Sequence, residues 1–255
     1  RDKKVADAGF IINLKHREDR IETAYNALDK LGFAGVERFD AVVIDEYPFK
    51  NQGCTQSHIE IAKMQIENNW QYVLYLEDDI VDDVFYEYDV VDNINIDSVI
   101  LEMIENIDKF SPDVLWLGVR PEGKVKRVSN ILIEPSKTIM SHAYIGSLKY
   151  ANFLVDNFDW SNDKHITWLW PIDFFISELN VKGDWKLYEQ SLIGASKFLN
   201  NDLNVYMLLP NIFTQNKSYS DIQKKHVDYR KWIRVCFKKY VDLDLLKITK
   251  KLLNE

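Results

Sequence analysis

Within residues 72–80 an uninterrupted apolar run, Val73-Leu74-Tyr75-Leu76, leads directly into three acids, Glu77-Asp78-Asp79. A short apolar run without alternation predicts a strand covered on both faces, which calls for helices above and below a mostly parallel sheet. Open sheets of that kind bind ligands at the carboxyl ends of their strands, where these acids stand. Three adjacent carboxylates repel one another unless a positive charge lies among them. Hard divalent ions such as Mg²⁺ or Mn²⁺ take oxygen ligands and bridge to phosphates, so the triplet is a candidate cation site. Side chains alternate along a strand, which predicts Glu77 and Asp79 on one side and Asp78 on the other. The pair is then the candidate metal clamp and Asp78 its support. The competing reading of the same residues is a solvated strand end that caps the next element.

The residues before the triplet set its place in a fold. Residues 9–14 form another short apolar strand candidate, followed by the charged turn 15–20. Ile21, Ala24, Tyr25, Leu28 and Leu31 then recur at helical spacing, with Gly32 as the stop. Residues 36–43 read as a strand. A helix is expected from Gly53 to about Asn69, with Thr55 as N-cap and Ile59, Ala62 and Ile66 on one face. The acids therefore follow a β-α-β-α-β lead, the order of a nucleotide-binding half-domain.

Beyond the triplet, residues 82–109 read as an acidic, irregular segment that turns helical from Ile96. Strands are expected at 113–117, 128–133 and 203–209, helices at 147–158 and 174–179, and a polar loop at 210–221. The remainder reads as helical. The simplest organisation is one α/β domain over 1–221 with a basic helical extension of the same domain over 222–255.

Charge narrows the function classes. The formal net charge of −8 hides an asymmetry, because residues 222–255 carry ten Lys or Arg against four Asp or Glu. The acidic body argues against a nucleic-acid partner, which usually needs a basic footprint. The basic extension is a solvated helix face or a contact for a membrane surface or partner protein. Cys54 and Cys236 make no disulfide framework, and no CxxC or linear His/Cys cluster suggests zinc. No apolar run approaches the roughly 18 residues of a membrane span. Localisation stays unassigned, with the cytoplasm favoured; the chain starts at Arg1 rather than Met, so an upstream segment is an open expectation.

Several of these pieces occur together in an order that resembles a known family. Ile12-Asn13-Leu14 with Arg17 and Asp19-Arg20 comes first, then Glu37-Arg38-Phe39-Asp40-Ala41, then Gly53-Cys54 with Ser57-His58, then Leu76-Glu77-Asp78-Asp79. Residues 114–118, His142-Ala143-Tyr144-Ile145, Pro171-Ile172-Asp173, and Pro210 with Thr214-Gln215 and Ser220-Asp221-Ile222 follow. Over roughly residues 10–222 the series resembles glycosyltransferase family 25, which includes lipooligosaccharide galactosyltransferases and collagen hydroxylysine galactosyltransferases. The resemblance implies a GT-A-like fold with a mixed, mostly parallel sheet flanked by helices, and a UDP-sugar donor. It also implies Mn²⁺ (or Mg²⁺) at the acidic motif and inverting transfer of galactose or glucose to a hydroxyl. The acceptor would be a glycan, a glycolipid or a hydroxylysine-containing protein. His16 and Glu18 stand where the family more often has basic residues.

Within that frame each residue has an expected job. Glu77 and Asp79 hold the metal, with His142 a further candidate ligand, and Asp78 meets the ribose or sugar. Asn13 and Leu14 meet the uracil edge. Arg17 and Arg20 reach the diphosphate or pair with Asp40, and Asp40 and Ala41 belong to the donor set. Ser57 lies near a helix N-terminus, suited to phosphate or ribose oxygens, while His58 reads as a satisfied core histidine. Gln215, Ser220 and Asp221 sit in the late polar loop, expected to close over the donor. Asp173 is the candidate general base, with a helix N-cap as its plain alternative. Trp168 and Trp170 are stacking candidates for a sugar ring. Two rival readings stand beside this one: a non-catalytic donor-binding or scaffolding domain, and a metal-dependent phosphohydrolase, against which the lack of a phosphate-gripping Gly-rich loop counts.

Overall fold

The computed structural model describes residues 4–44, 52–82, 95–158, 202–216, 218–220 and 225–227. Asp173, Asp221, Trp168, Trp170, Cys236, the expected helix at 174–179 and the extension beyond 227 lie outside the described residues.

The lead into the acidic motif forms as its periodicity predicts. Strand β1 (Ala8–Asn13) passes into helix α1 (Glu18–Leu31), which Gly32 ends in the left-handed conformation at φ 72°. Ala24, Ala27, Leu28 and Leu31 turn inward, whereas Tyr25 is exposed, because an aromatic at the edge of a helical stripe can lie along the surface. Strand β2 (Val36–Asp40), helix α2 (Gln52–Glu67) and strand β3 (Tyr72–Glu77) follow. Thr55 is not the N-cap of α2 but a buried residue inside its first turn, since the helix already starts at Gln52. Gly53 permits that start, because a Cβ there would collide with the Val42 carbonyl.

After β3 come a short strand β4 (Ile80–Val81), helix α3 (Ile96–Phe110) and two long strands, β5 (Val114–Arg127) and β6 (Leu132–Ser147). Asn95 caps α3, its side chain accepting from the Asp97 and Ser98 amides. Helix α4 (Leu148–Phe158), strand β7 (Val205–Leu208) and three short strands, β8 (Thr214–Gln215), β9 (Ser218–Ser220) and β10 (Lys225–Val227), complete the description. Two expectations need correction here. Residues 128–133 are not a separate strand: 128–131 are the turn of a long β5–β6 hairpin and Leu132 and Ile133 open β6, and register shifts around Gly118 and between Glu122 and Val125 absorb residues that read as breakers. Residues 225–227 are paired with β9 as a strand rather than helical.

The main sheet runs β2-β1-β3-β6-β5-β7. β6 alone runs antiparallel to its neighbours, so the sheet is mixed and mostly parallel, as expected for this α/β chain. Alternation divides the core cleanly. Phe10, Ile12, Val73, Tyr75 and Trp116 face α2 and α4, while Ile11, Leu74, Leu76, Leu115 and Leu117 face α1 and α3. Two covered faces explain why the strands read as continuous apolar runs.

Candidate functional site

Strand β3 delivers Glu77 at its end, and Asp78 and Asp79 form the turn into β4. Alternation therefore applies up to Glu77 and not through the whole triplet. The three acids take three different surroundings. Asp78 is buried on the α1 side, where Asn13 Nδ2 donates to Oδ2 at 2.7 Å and Arg20 Nη1 donates to Oδ1 at 2.7 Å. Asp79 accepts from Gln215 Nε2 at 2.9 Å, and its backbone carbonyl accepts from the Asn216 amide at 2.6 Å. Glu77 Oε1 accepts from Ser141 Oγ at 2.9 Å.

Asp78 is the anchored member. Its pair with Arg20 is nearly dry, the side chains being 13% and 9% exposed. Breaking such a pair leaves an uncompensated buried charge. Arg20→Met is expected to cost about 3 kcal/mol in chemical denaturation. A loss below about 1 kcal/mol would place the pair in the solvent-screened class instead.

Asp79 is the strained member. Burial, and then the neighbouring Asp78 charge, push its carboxyl up to about 7, against the opposing pull of Arg20 and Gln215. Its Oδ1 is closed to solvent and has no hydrogen-bond partner among the described residues, and the same holds for Gln215 Oε1, Thr214 Oγ1 and Asn13 Oδ1. Buried acceptors without donors are rare in proteins. Asp79 and Gln215 touch, and oxygen acceptors such as these two atoms are the ligands a hard divalent cation takes.

The remaining expected residues are placed as follows. The Asn13 carbonyl accepts from the Ala41 amide, which ties the ends of β1 and β2, and the Leu14 carbonyl accepts from the Arg17 amide in the turn into α1. Arg17 holds Asp19 through two bonds of 2.9 Å at the surface, and Asp40 is within 3.3 Å of Arg38. Ser57 is buried, donating to the Gly53 carbonyl and accepting from the Val42 amide, so its hydroxyl fastens α2 to the segment after β2. Gln215 is buried in β8, paired with β4. That corrects the expected polar loop at this point: Thr214 and Gln215 pair with β4 beside the acidic turn, and the buried Asn211 donates to the Val119 carbonyl, so this polarity is not turned to solvent. The backbone of Ser220 lies in β9.

His142 is fully buried on β6, with both ring nitrogens lacking a partner of acceptable geometry among the described residues. Burial lowers it to about 4, opposed in part by the nearby Phe213 carbonyl. Gly118 makes room for this ring, since a Cβ would strike His142 Nε2 and the Phe213 oxygen.

Glu77, Asp79 and His142 do not converge as one ligand group. Among the described residues, three side chains with ligand atoms all within 4.8 Å of one another occur at Cys54, His58 and Glu77. Sequence reasoning missed that grouping, although its signals were present: Cys54 and His58 are one helical turn apart, and Glu77 shares strand parity with Val73 and Tyr75, which face α2.

Fold and site together define an α/β protein with an acidic, cation-compatible turn at the carboxyl end of a central strand. No family model matches the chain. It is 25% identical over 253 residues to procollagen galactosyltransferase 1-B of Xenopus laevis, a match that takes in 86% of this chain and 38% of that protein. The chain thus spans well under half of the relative's length. A solved structure, a glycosyltransferase involved in the glycosylation of the major capsid of PBCV-1, matches at TM-score 0.33 and 10% identity, over 62% of this chain and 68% of that one. No helix among the described residues is long and apolar enough to cross a membrane.

Proposed function

We propose that this chain is a metal-dependent glycosyltransferase of the family 25, GT-A-like type, moving a hexose from a UDP-sugar to an acceptor hydroxyl with inversion. The observation that carries the proposal is the buried Asp79 carboxylate, whose Oδ1, like Gln215 Oε1, has no partner among the described residues, beside an Asp78 clamped by Asn13 and Arg20. Similarity to a galactosyltransferase supports the choice of reaction.

Asp79 and Gln215 would hold Mn²⁺ or Mg²⁺. Such an ion supplies Lewis-acid neutralisation of the diphosphate leaving group. Asn13 and Arg20 hold the Asp78 carboxylate in place, which orients it for a ribose or sugar hydroxyl. Asp173 is the proposed base that takes the acceptor proton. The donor is UDP-galactose or UDP-glucose, and the acceptor a glycan, a glycolipid or a hydroxylysine-containing protein.

The test is a panel of UDP-sugars with Mn²⁺, read by calorimetry and by release of free UDP. Binding and slow UDP release, both abolished by chelator, are expected. Asp173→Asn should retain binding and lose transfer. Binding without any UDP release would favour the non-catalytic donor-binding reading, and failure of both UDP-hexoses to bind would end the proposal.

A further inference from the structure

We infer that Cys54, His58 and Glu77 form a second metal site, selective for a borderline-soft ion of the Zn²⁺ class and separate from the oxygen-lined turn at Asp79. Cys54 and His58 lie one turn apart on α2 and so project from the same face. Glu77 ends the β3 row that begins with Val73 and Tyr75, the row against which α2 packs. The fold therefore brings a thiol, an imidazole and a carboxylate together, with every pair of ligand atoms within 4.8 Å. Tetrahedral zinc with sulfur, nitrogen and oxygen ligands needs separations of about 3.3–3.6 Å, which is about an ångström of closure.

The independent observation is the imidazole itself. His58 is fully buried, and its Nε2 has no hydrogen-bond partner among the described residues. Its Nδ1 lies 2.8 Å from the Tyr144 hydroxyl. In the tautomer where Nδ1–H donates to that oxygen, Nε2 carries the lone pair that a metal requires, the arrangement usual for ligating histidines. The ring lies nearly parallel to the stacked Tyr75 and Tyr144 rings, at 10° and 9°, with centroids 6.0 and 5.6 Å away. Ser141 Oγ fixes the Glu77 carboxylate in the same way that Tyr144 fixes the imidazole.

Donor chemistry selects the ion. A thiolate and an imidazole favour Zn²⁺ or Co²⁺ over Mg²⁺ and Mn²⁺, which prefer all-oxygen sets such as that around Asp79. Binding releases the Cys54 thiol proton to solvent. Thiolate and carboxylate together then balance the two positive charges of the ion, so a part-buried site remains neutral. Three protein ligands leave one position for water or an incoming group, as in zinc sites that are not purely structural. This inference stands apart from glycosyl transfer and holds or fails without it.

The test is titration of the chelator-treated full chain with Co²⁺, followed by displacement with Zn²⁺. One equivalent is expected to give a thiolate-to-cobalt absorption band that stoichiometric Zn²⁺ erases and excess Mg²⁺ leaves. Cys54→Ser should abolish the band, Cys236→Ser should retain it, and Glu77→Gln should keep it with at least about tenfold weaker affinity. Should Cys54→Ser fail to fold, alkylation of the wild-type chain decides: Zn²⁺ is expected to slow modification of Cys54, identified by peptide mapping, by tenfold or more. No band, a band lost with Cys236 and kept without Cys54, or Cys54 alkylation unchanged by Zn²⁺ would each overturn the site.

Discussion

In Asp79→Ala, Mn²⁺-dependent binding of UDP is expected to disappear while the chain stays folded. The loss should exceed about 100-fold in affinity, or about 2.7 kcal/mol. Two features separate this residue from an ordinary structural acid. Its carboxyl is pushed up to about 7 by burial and by the Asp78 charge, so in the ion-free protein the one side-chain contact the substitution removes among the described residues is the hydrogen bond from Gln215 Nε2. Its Oδ1 also lacks a partner among the described residues, which leaves that atom available to an ion. Stability at neutral pH should therefore change little, because relief of the repulsion with Asp78 offsets the lost hydrogen bond from Gln215. Arg20→Met provides the contrast, because it should lower stability through Asp78. A folded Asp79→Ala chain that binds UDP with Mn²⁺ as tightly as wild type would remove Asp79 as a ligand.

The ion-free protein is expected to lose about 2 kcal/mol of stability between pH 6 and pH 4.5. His58 and His142 are held neutral by burial, at about 3 and about 4, against 6.5 in the unfolded chain. A histidine with a lowered folded-state pKa binds its proton in the unfolded chain first, so acidification through this window favours unfolding. Asp79 acts in the opposite sense. With a folded-state pKa of about 7 against 3.8 unfolded, it holds a proton in the native state that the unfolded chain lacks, and that contribution fades as pH rises through 7. The balance is two protons taken up by the unfolded chain against one by the native, a net slope of about 1.4 kcal/mol per pH unit. Asp79→Asn removes the opposing proton and should double the slope. Urea titrations in chelator at several pH values measure both. Stability that is flat or rises toward pH 4.5 in wild type, or an unchanged slope in Asp79→Asn, would show that these groups titrate differently.

Much of the scaffold was legible because its signals are local. Gly32 after a helical stripe, the apolar runs of β1 and β3, and the helical pattern from Ile96 each report a backbone state that neighbouring residues enforce. The long β5–β6 hairpin was not legible. Gly118, Pro121 and Gly123 look like the end of a strand, and only pairing with β6 shows that the ladder continues through shifted register. The segment around Asn211 to Gln215 misled for a related reason. Its polar side chains read as a surface loop, whereas β8 pairs with β4 beside the acidic turn and Asn211, Thr214 and Gln215 are all buried.

Residue pattern alone predicts the α/β class, the β-α-β-α-β lead and three acids at a strand's carboxyl end. These follow from periodicity, a property of residues a few positions apart. The tertiary structure alone decided how the three acids divide: Asp78 to Asn13 and Arg20, Asp79 to Gln215, and Glu77 to Ser141 beside Cys54 and His58. The contacts that make this division span separations of 58, 64, 65 and 136 residues. At that range partners are chosen by sheet order and by which face each helix covers. Periodicity predicts neither, so the acids were visible in the sequence and their separate assignments were not.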